Sequence, residues 1–306
     1  MRVLILCSEN SGRLAPFITE QVNAIQKKGV SCEYFTITRK GMIGYMRSFL
    51  PMMRKIKGYN PDLIHAHYGL AGLLANLQRK KPVVTTYHGS DINNRKAFRF
   101  SKWAVKLSAY NIFVSEKNKR ITNSTDKSVV IPCGIDVQMF QPMNRAEARE
   151  MLGYAKNDRL VLFAGAFDNE VKNPQLAKEA VEILEDVRLI ELKGYKRNEV
   201  ALLMNGVDCC LMTSHSEGSP QFVKEAMACN CPIVSVDVGD VKEVIDSVEN
   251  CYLASYDAKD IAEKLRIVLA DGRRTNGRDK ILKMGLDSES VAKKIVEIYK
   301  SVLSKV

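Results

Sequence analysis

The clearest chemical pattern in the sequence is a polar loop between a predicted strand and a predicted helix, where Glu217 and Gly218 form a sharp turn. Ser219 is of a residue type that caps helices, and Pro220 suits a first helical position. The first turn of a helix has backbone N–H groups without partners, and these attract an anion. Glu225 stands eight residues after Glu217, within the helix, where a lone glutamate is usually a solvated surface residue. The pattern predicts an anion-binding turn flanked by two carboxylates.

Other polar residues also follow predicted strands. Gly12 and Arg13 lie in a short loop after the first strand, and the backbone amides of such a loop suit a phosphate. His88 follows a strand beside Gly89, which is typical of an exposed functional position. Lys172 lies in a loop between a strand and a helix and places one cation near the expected phosphate. Each of these residues also has a simpler interpretation. The first loop has the sequence of an ordinary turn between a strand and a helix, a histidine at a strand end is more often structural, and Lys172 has the local sequence of a surface lysine.

The spacing of potential ligands indicates no metal and no other cofactor. His65 and His67 share one face of a predicted strand, but no zinc spacing connects them with His88. The eight cysteines show no zinc spacing, and the sequence contains no Asp-x-Asp motif. No export signal and no apolar run long enough for a membrane span is evident. We therefore expect reduced, mostly buried cysteines and a cytoplasmic protein.

Short apolar segments alternate with helical patterns along the whole chain. Apolar runs without strict alternation are typical of parallel strands covered by helices on both faces. The predicted strands are 2–7, 32–37, 63–67, 83–87, 111–115, 129–132, 160–163, 187–192, 207–213, 232–236 and 252–254. The main predicted helices are 17–28, 43–57, 174–184, 220–229, 258–269 and 288–303. This order predicts an α/β protein with two Rossmann-like, doubly wound parallel sheets.

The position of the polar residues relative to these strands predicts where a ligand binds. Open parallel sheets bind ligands beyond the carboxyl ends of their strands. With two such sheets, we expect the site in a cleft where two domains face each other. A polar, charge-rich stretch at 142–156 is the predicted connector.

The positive charge is concentrated in one third of the chain. Segment 39–120 holds 17 basic and three acidic residues, while the whole chain has a net charge of +11. Such a face attracts anionic lipid, nucleic acid or acidic small molecules, and a role in solubility is the simplest alternative. No nucleic-acid-binding motif occurs, which disfavours nucleic acid. The basic amphipathic stretch 39–57 suits peripheral contact with the inner face of an anionic membrane, although such helices more often pack on a sheet.

Motifs spread over nearly the whole chain resemble those of a family-4 glycosyltransferase of the GT-B fold. The most specific is the pair Glu217 and Glu225, separated by seven residues. The other motifs are Pro61-Asp62-Leu63-Ile64-His65-Ala66-His67, Thr86-Tyr87-His88-Gly89-Ser90-Asp91, Ile131-Pro132-Cys133-Gly134-Ile135-Asp136 and Phe140-Gln141-Pro142. By this resemblance the final helix crosses back, so that 1–143 with 286–306 form an acceptor-side domain and 144–285 a nucleotide-sugar-binding domain.

The resemblance implies retaining transfer of a sugar from a nucleotide-diphosphate sugar to an acceptor, without a metal ion or other cofactor. Glu225 then binds the ribose hydroxyls. The implied catalytic residues are Glu217, which faces the sugar hydroxyls, Lys172, which neutralises the diphosphate, and His88, which contacts the sugar near the reacting carbon. The acceptor is expected to be a glycan or a lipid-linked precursor of a cell-surface polysaccharide, and a small-molecule acceptor stays open.

The same resemblance assigns further donor-binding residues. They are Gly12, Arg13, Gly218, Ser219 and Pro220. Gly12 lets the first loop approach the diphosphate, and Gly218 and Ser219 supply backbone donors.

Two positions depart from the family pattern. Ala166 and Phe167 stand where the family usually has an arginine, so that diphosphate binding rests on Lys172 alone or recruits Arg13. Asp240 replaces the usual second glycine and adds negative charge near the donor pocket. Two alternatives to a transferase stay open: a sugar-nucleotide epimerase of the same fold, and a catalytically inactive GT-B protein that binds anionic surfaces.

Overall fold

The computed structural model describes residues 1–9, 12, 14–39, 41–124 and 126–305. The chain forms two compact units, an N-terminal unit of Met1–Gly134 with the segment from Ser288 onward, and a C-terminal unit of Ile135–Asp287. The division falls before Ile135 rather than after 143, because Ile135 and Phe140 are fully buried in the core of the C-terminal unit.

The strands of both units are parallel to their neighbours. In the N-terminal unit they are β1 (Arg2–Ser8), β2 (Ser31–Ile37), β3 (Leu63–His67), β4 (Val83–Tyr87), β5 (Tyr110–Phe113) and β6 (Ser128–Val130). In the C-terminal unit they are β7 (Arg159–Phe163), β8 (Val187–Glu191), β9 (Cys209–Met212), β10 (Ile233–Val236) and β11 (Cys251–Ala254). Strand β6 ends before the predicted limit at Pro132, which has no N–H group to continue the ladder.

Helices connect these strands. The first are α1 (Pro16–Lys27), α2 (Gly41–Tyr59), α3 (Gly69–Asn76), α4 (Ser90–Asn93), α5 (Arg95–Leu107), α6 (Glu116–Thr122) and α7 (Arg145–Leu152). The others are α8 (Pro174–Glu182), α9 (Arg197–Gly206), α10 (Gln221–Ala228), α11 (Val241–Ile245), α12 (Ala258–Asp271), α13 (Gly277–Lys283) and α14 (Ser288–Leu303). A short 3₁₀ helix, Glu170–Lys172, precedes α8.

The N-terminal unit is a doubly wound sheet. Its described strands have the order β2-β1-β3-β4-β5-β6. Helices α1 and α14 bury apolar side chains against one face, and α2 and α3 cover the other face. The β3 and β4 strands are buried along their whole length, as expected for central parallel strands covered by helices on both faces.

The C-terminal unit repeats this architecture. Its described strands have the order β11-β10-β9-β7-β8. Helices α8 and α12 pack on one face, while α9, α10, α11 and α13 pack on the other. The predicted arrangement of two doubly wound parallel sheets is therefore confirmed. Of the described helices, none combines the length and the apolar character that a membrane crossing requires.

Candidate active site

The structure brings Lys172 and Glu217 together in the C-terminal unit. The Lys172 Nζ lies 2.6 Å from Glu217 Oε1, and both side chains are largely buried. The Thr213 hydroxyl holds the adjoining main chain, 3.0 Å from the carbonyl oxygen of Lys172 and 2.8 Å from that of Asn173. The lysine stem packs against Gly165, where an added Cβ would lie 2.7 Å from Lys172 Cγ. Lys172 is thus a fixed cation rather than a surface lysine.

The start of α10 differs from the predicted one. Pro220 precedes the first helical residue instead of occupying that position, with backbone angles of φ −68° and ψ 120°. The predicted cap at Ser219 is wrong, because its hydroxyl is hydrogen-bonded to Asp240 Oδ2 at 2.6 Å. The helix N–H groups therefore do not donate to the Ser219 hydroxyl, and they keep their affinity for an anion.

Glu225 is buried within α10, with 3% of its surface exposed. Its Oε1 lies 2.7 Å from Arg197 Nη2. The guanidinium of Arg197 also lies over the Phe140 ring, 4.7 Å from the ring centroid. A buried carboxylate needs such a partner, because it loses hydration. Arg197 was not predicted from the sequence. It begins α9 directly after the loop that contains Gly194 and follows strand β8, and parallel sheets bind ligands at such strand ends.

A second buried charged group lies behind the same turn. Lys224 is fully buried, and its Nζ lies 3.0 Å from Ser219 Oγ. Burial raises the pKa of Asp240, while the charge of Lys224 lowers it. Asp240 was predicted near the donor pocket, whereas Lys224 was not, because a lysine beside Glu225 in a helix is expected to be exposed to solvent.

His88 lies in the N-terminal unit, directly after β4. Its Nε2 is 3.0 Å from His67 Nδ1, and its Nδ1 is 3.6 Å from Cys133 Sγ. The rings of Phe17 and Tyr68 lie 4.8 and 4.7 Å from the His88 ring, measured between centroids. These contacts fix the ring orientation.

Asp91 holds the loop that follows His88. Its Oδ1 accepts hydrogen bonds from the N–H groups of His88 and Gly89, at 3.0 and 3.1 Å. Burial raises the pKa of Asp91 to about 6, although these N–H groups lower it. Gly89 adopts φ +101°, a conformation that favours glycine.

The other two strand histidines, His65 and His67, are fully buried. His65 Nδ1 lies 2.5 Å from Tyr299 Oη, and His65 Nε2 lies 2.7 Å from Thr86 Oγ1. Burial lowers the pKa of His67 to about 3, so this imidazole is neutral at physiological pH. Because both His65 nitrogens have protein partners, the ring has no lone pair left for a metal. In the described ranges, no three His, Cys, Asp or Glu side chains form a group that could hold a metal ion.

The first loop is described only in part. Gly12 has φ +79°, and its N–H donates to the Glu9 carbonyl at 3.0 Å. An added Cβ at Gly12 would meet no described atom within 4 Å, so the space beside it is open. Arg13 lies outside the described residues.

Two doubly wound parallel units with polar groups at the strand ends define the GT-B class of protein. Sucrose-phosphate synthase of Thermosynechococcus elongatus has a similar structure, with a TM-score of 0.84 and 17% identity over 100% of this chain and 99% of that one. Anabaena HepE, solved in complex with UDP-glucose, has a TM-score of 0.78 and 16% identity over 98% of this chain and 100% of its own.

Two family models match the sequence. Glycosyltransferase Family 4 matches residues 1–139, and Glycosyl transferases group 1 matches residues 155–271. Both models describe glycosyltransferases, and the N-terminal part of the chain matches Glycosyltransferase Family 4.

Relatives at moderate identity carry glycosyltransferase names. The teichuronic acid biosynthesis glycosyltransferase TuaC of Bacillus subtilis is 28% identical over 67% of this chain and 60% of its own length. A D-inositol 3-phosphate glycosyltransferase of Xylanimonas cellulosilytica is 26% identical over 70% of this chain and 65% of its own length. The chain thus spans less than two thirds of either relative.

Proposed function

We propose that this protein is a retaining glycosyltransferase that moves a sugar from a nucleotide-diphosphate sugar to an acceptor. The observation that carries the proposal is the fixed Lys172–Glu217 pair beside the start of α10. When the nucleoside diphosphate leaves, negative charge develops on its oxygens. An ammonium and helix N–H groups held in place in advance stabilise that charge without a metal ion.

The contacts within the C-terminal unit suggest a role for each side chain. Without donor, Glu217 holds Lys172 in place through their ion pair. A bound diphosphate takes the ammonium as its partner, and the Glu217 carboxylate can then accept hydrogen bonds from the sugar hydroxyls. The N–H groups of Gly218 and Ser219 donate to the diphosphate. Glu225 accepts hydrogen bonds from the ribose hydroxyls while Arg197 holds its Oε1.

We infer retention from the resemblance of the motifs to those of the retaining family-4 glycosyltransferases. A double displacement requires a carboxylate nucleophile beneath the anomeric carbon. Glu225 is paired with Arg197, and Glu217 faces the sugar hydroxyls once the diphosphate has taken Lys172 as its partner, so neither carboxylate is assigned that role. We therefore favour attack by the acceptor on the face from which the diphosphate leaves, with His88 in contact with the sugar.

The names of the similar proteins support a substrate class. TuaC is named for teichuronic acid biosynthesis, and HepE was solved with UDP-glucose. We propose a nucleotide-sugar donor, for which UDP is the first probe. As acceptor we propose a glycan or a lipid-linked precursor of a cell-surface polysaccharide, glycosylated in the cytoplasm.

Binding of a nucleoside diphosphate is the first test. UDP at about 100 times its Kd should stabilise the protein by about 2.7 kcal/mol, which raises the Tm by about 5 °C. We expect the same rise in magnesium and in EDTA, because Lys172 and α10 supply the positive charge. A thermal-shift screen of UDP, ADP, GDP and their sugars measures both properties.

Two outcomes of this screen would contradict the proposal: no shift with any nucleoside diphosphate, or a shift that requires magnesium. A productive donor then separates the alternatives. A transferase releases nucleoside diphosphate only as sugar appears on an acceptor, whereas an epimerase converts the sugar nucleotide without acceptor. An inactive GT-B protein does neither.

An exposed apolar face on α2 supports a second partner, an anionic membrane surface. The buried side chains of this helix include Tyr45, Met52, Ile56 and Tyr59. Three side chains on another face, Ile43, Met46 and Leu50, are 66%, 67% and 67% exposed. The helix therefore packs on the sheet, as expected of such helices, and also presents apolar side chains to solvent. Arg47 and Arg54 lie on the same helix.

A surface groove extends this face. It has a volume of about 440 Å³ and is lined by Leu50 and Met53 together with cationic residues. The cations are Arg54, Lys57, Lys80 and Lys81. Apolar side chains among lysines and arginines suit the boundary between anionic headgroups and acyl chains. We propose peripheral docking of the N-terminal unit through this face, at the inner surface of the membrane.

Vesicle binding tests this face. The native protein should sediment with phosphatidylglycerol vesicles and not with phosphatidylcholine vesicles, and 0.5 M NaCl should weaken the binding. The double substitution Met46→Ser and Leu50→Ser should weaken binding by at least about tenfold, because two side chains no longer enter the apolar layer. Leu282→Ser, at a 45% exposed position on α13, is the control. If the protein does not bind anionic vesicles, or binds them equally well at high salt, the positive charge of segment 39–120 serves solubility alone.

A further inference from the structure

A buried chain of hydrogen bonds links α10 to the loop that precedes α11. The fully buried Lys224 has its Nζ 3.0 Å from Ser219 Oγ, and Ser219 Oγ lies 2.6 Å from Asp240 Oδ2. A lysine ammonium can only donate, and an ionised carboxylate can only accept. The Ser219 hydroxyl therefore accepts from Lys224 and donates to Asp240.

This arrangement is costly for stability. Asp240 Oδ1 is buried and has no hydrogen-bond partner within the described part of the chain. An unsatisfied polar atom in the interior destabilises the folded state, and so does the desolvation of an ammonium and a carboxylate. The network therefore points to a role other than holding the fold together.

The two loops that the network joins approach each other closely. Gly239 adopts φ +66°, and an added Cβ there would lie 2.8 Å from the Gly218 carbonyl oxygen and 3.3 Å from Glu217 Cβ. Only glycine fits this backbone angle and this gap. The loop that contains Gly239 and Asp240 thus backs the turn that contains Glu217 and Gly218.

We propose that Lys224 and Asp240 are positioning residues of the donor site. The proposal rests on the proposed function and concerns how the diphosphate is held. Acting through Ser219, the two charges fix the turn so that its N–H groups and the start of α10 face the diphosphate. Neither side chain touches the donor. The negative charge that Asp240 adds near the donor pocket is compensated by Lys224.

The substitution Ser219→Ala tests the proposal directly, because it removes only the hydroxyl that links the two buried charges. Loss of the hydrogen-bonded link should weaken UDP binding about tenfold. Binding of uridine, which has no phosphate, should stay within about twofold of native, since its contacts lie elsewhere. Titration of both ligands, with Tm measured in parallel, separates positioning of the diphosphate from general destabilisation.

A second variant keeps the test decisive. Lys224→Met with Asp240→Ala removes both charges together, which avoids leaving one buried and unpaired. It should show the same selective loss of UDP affinity. The control is Ser247→Ala, because the Ser247 hydroxyl lies 3.0 Å from Asp246 Oδ2 in an exposed pair.

The outcomes separate this proposal from the proposed function. Native UDP affinity in folded Ser219→Ala and in the double variant would overturn the positioning role, even with a lowered Tm. An equal loss for UDP and uridine would overturn it as well. If the native protein binds no nucleoside diphosphate, the proposed function itself fails.

Discussion

Lys172→Met is expected to lower the rate of sugar transfer by about 100-fold or more, because the removal of one preorganised donor to a developing anion typically costs that much. Methionine keeps a stem that can pack against Gly165 and provides no charge for the diphosphate. Stability should fall by about 1 to 3 kcal/mol, because the largely buried Glu217 carboxylate loses its partner. The rate is measured as nucleoside diphosphate released from the donor in the presence of acceptor.

Lys259→Met is the matched control, since Lys259 is an exposed lysine on α12 of the same unit. It should transfer sugar at the native rate. If Lys172→Met transfers sugar at the native rate, Lys172 has no role in the mechanism. A collapse of the Tm in that variant would instead show that the ion pair serves mainly the fold.

The fold was predictable from the sequence because its determinants are local. A strand such as Val83–Tyr87 is a short run rich in β-branched residues, and its polar successor His88 marks the carboxyl edge of the sheet. Both properties can be inferred without knowledge of the partner strands. The order of the strands, by contrast, follows from long-range packing that no local pattern contains.

The candidate site was predictable only for residues whose own loop indicates their role. Glu217 and Lys172 follow strands that lie together in the sheet, so their positions could be inferred. Arg197 and Lys224 could not, because their roles depend on what each meets across the packed elements. Lys224 in particular is a fully buried cation, against the usual exposure of lysine, and its partners come from two separate turns.

The surroundings of His88 show the same limit. His67 was predicted on the same strand face as His65, and it is hydrogen-bonded to His88, which directly follows the neighbouring strand β4. Cys133 lies 45 residues further along the chain and meets the other ring nitrogen. Such contacts depend on the pairing of strands β3 and β4 and on the course of the chain after β6. Neither can be predicted from the local sequence pattern.

Glu225→Gln is expected to weaken binding of UDP about 100-fold, because hydrogen bonds to a charged acceptor contribute up to about 3 kcal/mol. The amide keeps the size of the side chain but loses the charge that pairs with Arg197 and accepts from the ribose hydroxyls. The maximal rate should fall less than the affinity, since the ribose is remote from the bond that breaks. Titration with UDP, together with KM and kcat for the donor, measures both effects.

A ligand without the 2′-hydroxyl separates ribose recognition from a general loss of affinity. The native protein should bind UDP more tightly than 2′-deoxy-UDP, and Glu225→Gln should discriminate less between them, because the carboxylate that reads the hydroxyl is gone. Glu179→Gln, an exposed position on α8 hydrogen-bonded to Gln175, should behave as native. If Glu225→Gln still discriminates as the native protein does, another group reads the ribose. The buried Glu225–Arg197 pair would then serve to join α9 to α10 rather than to select the nucleotide.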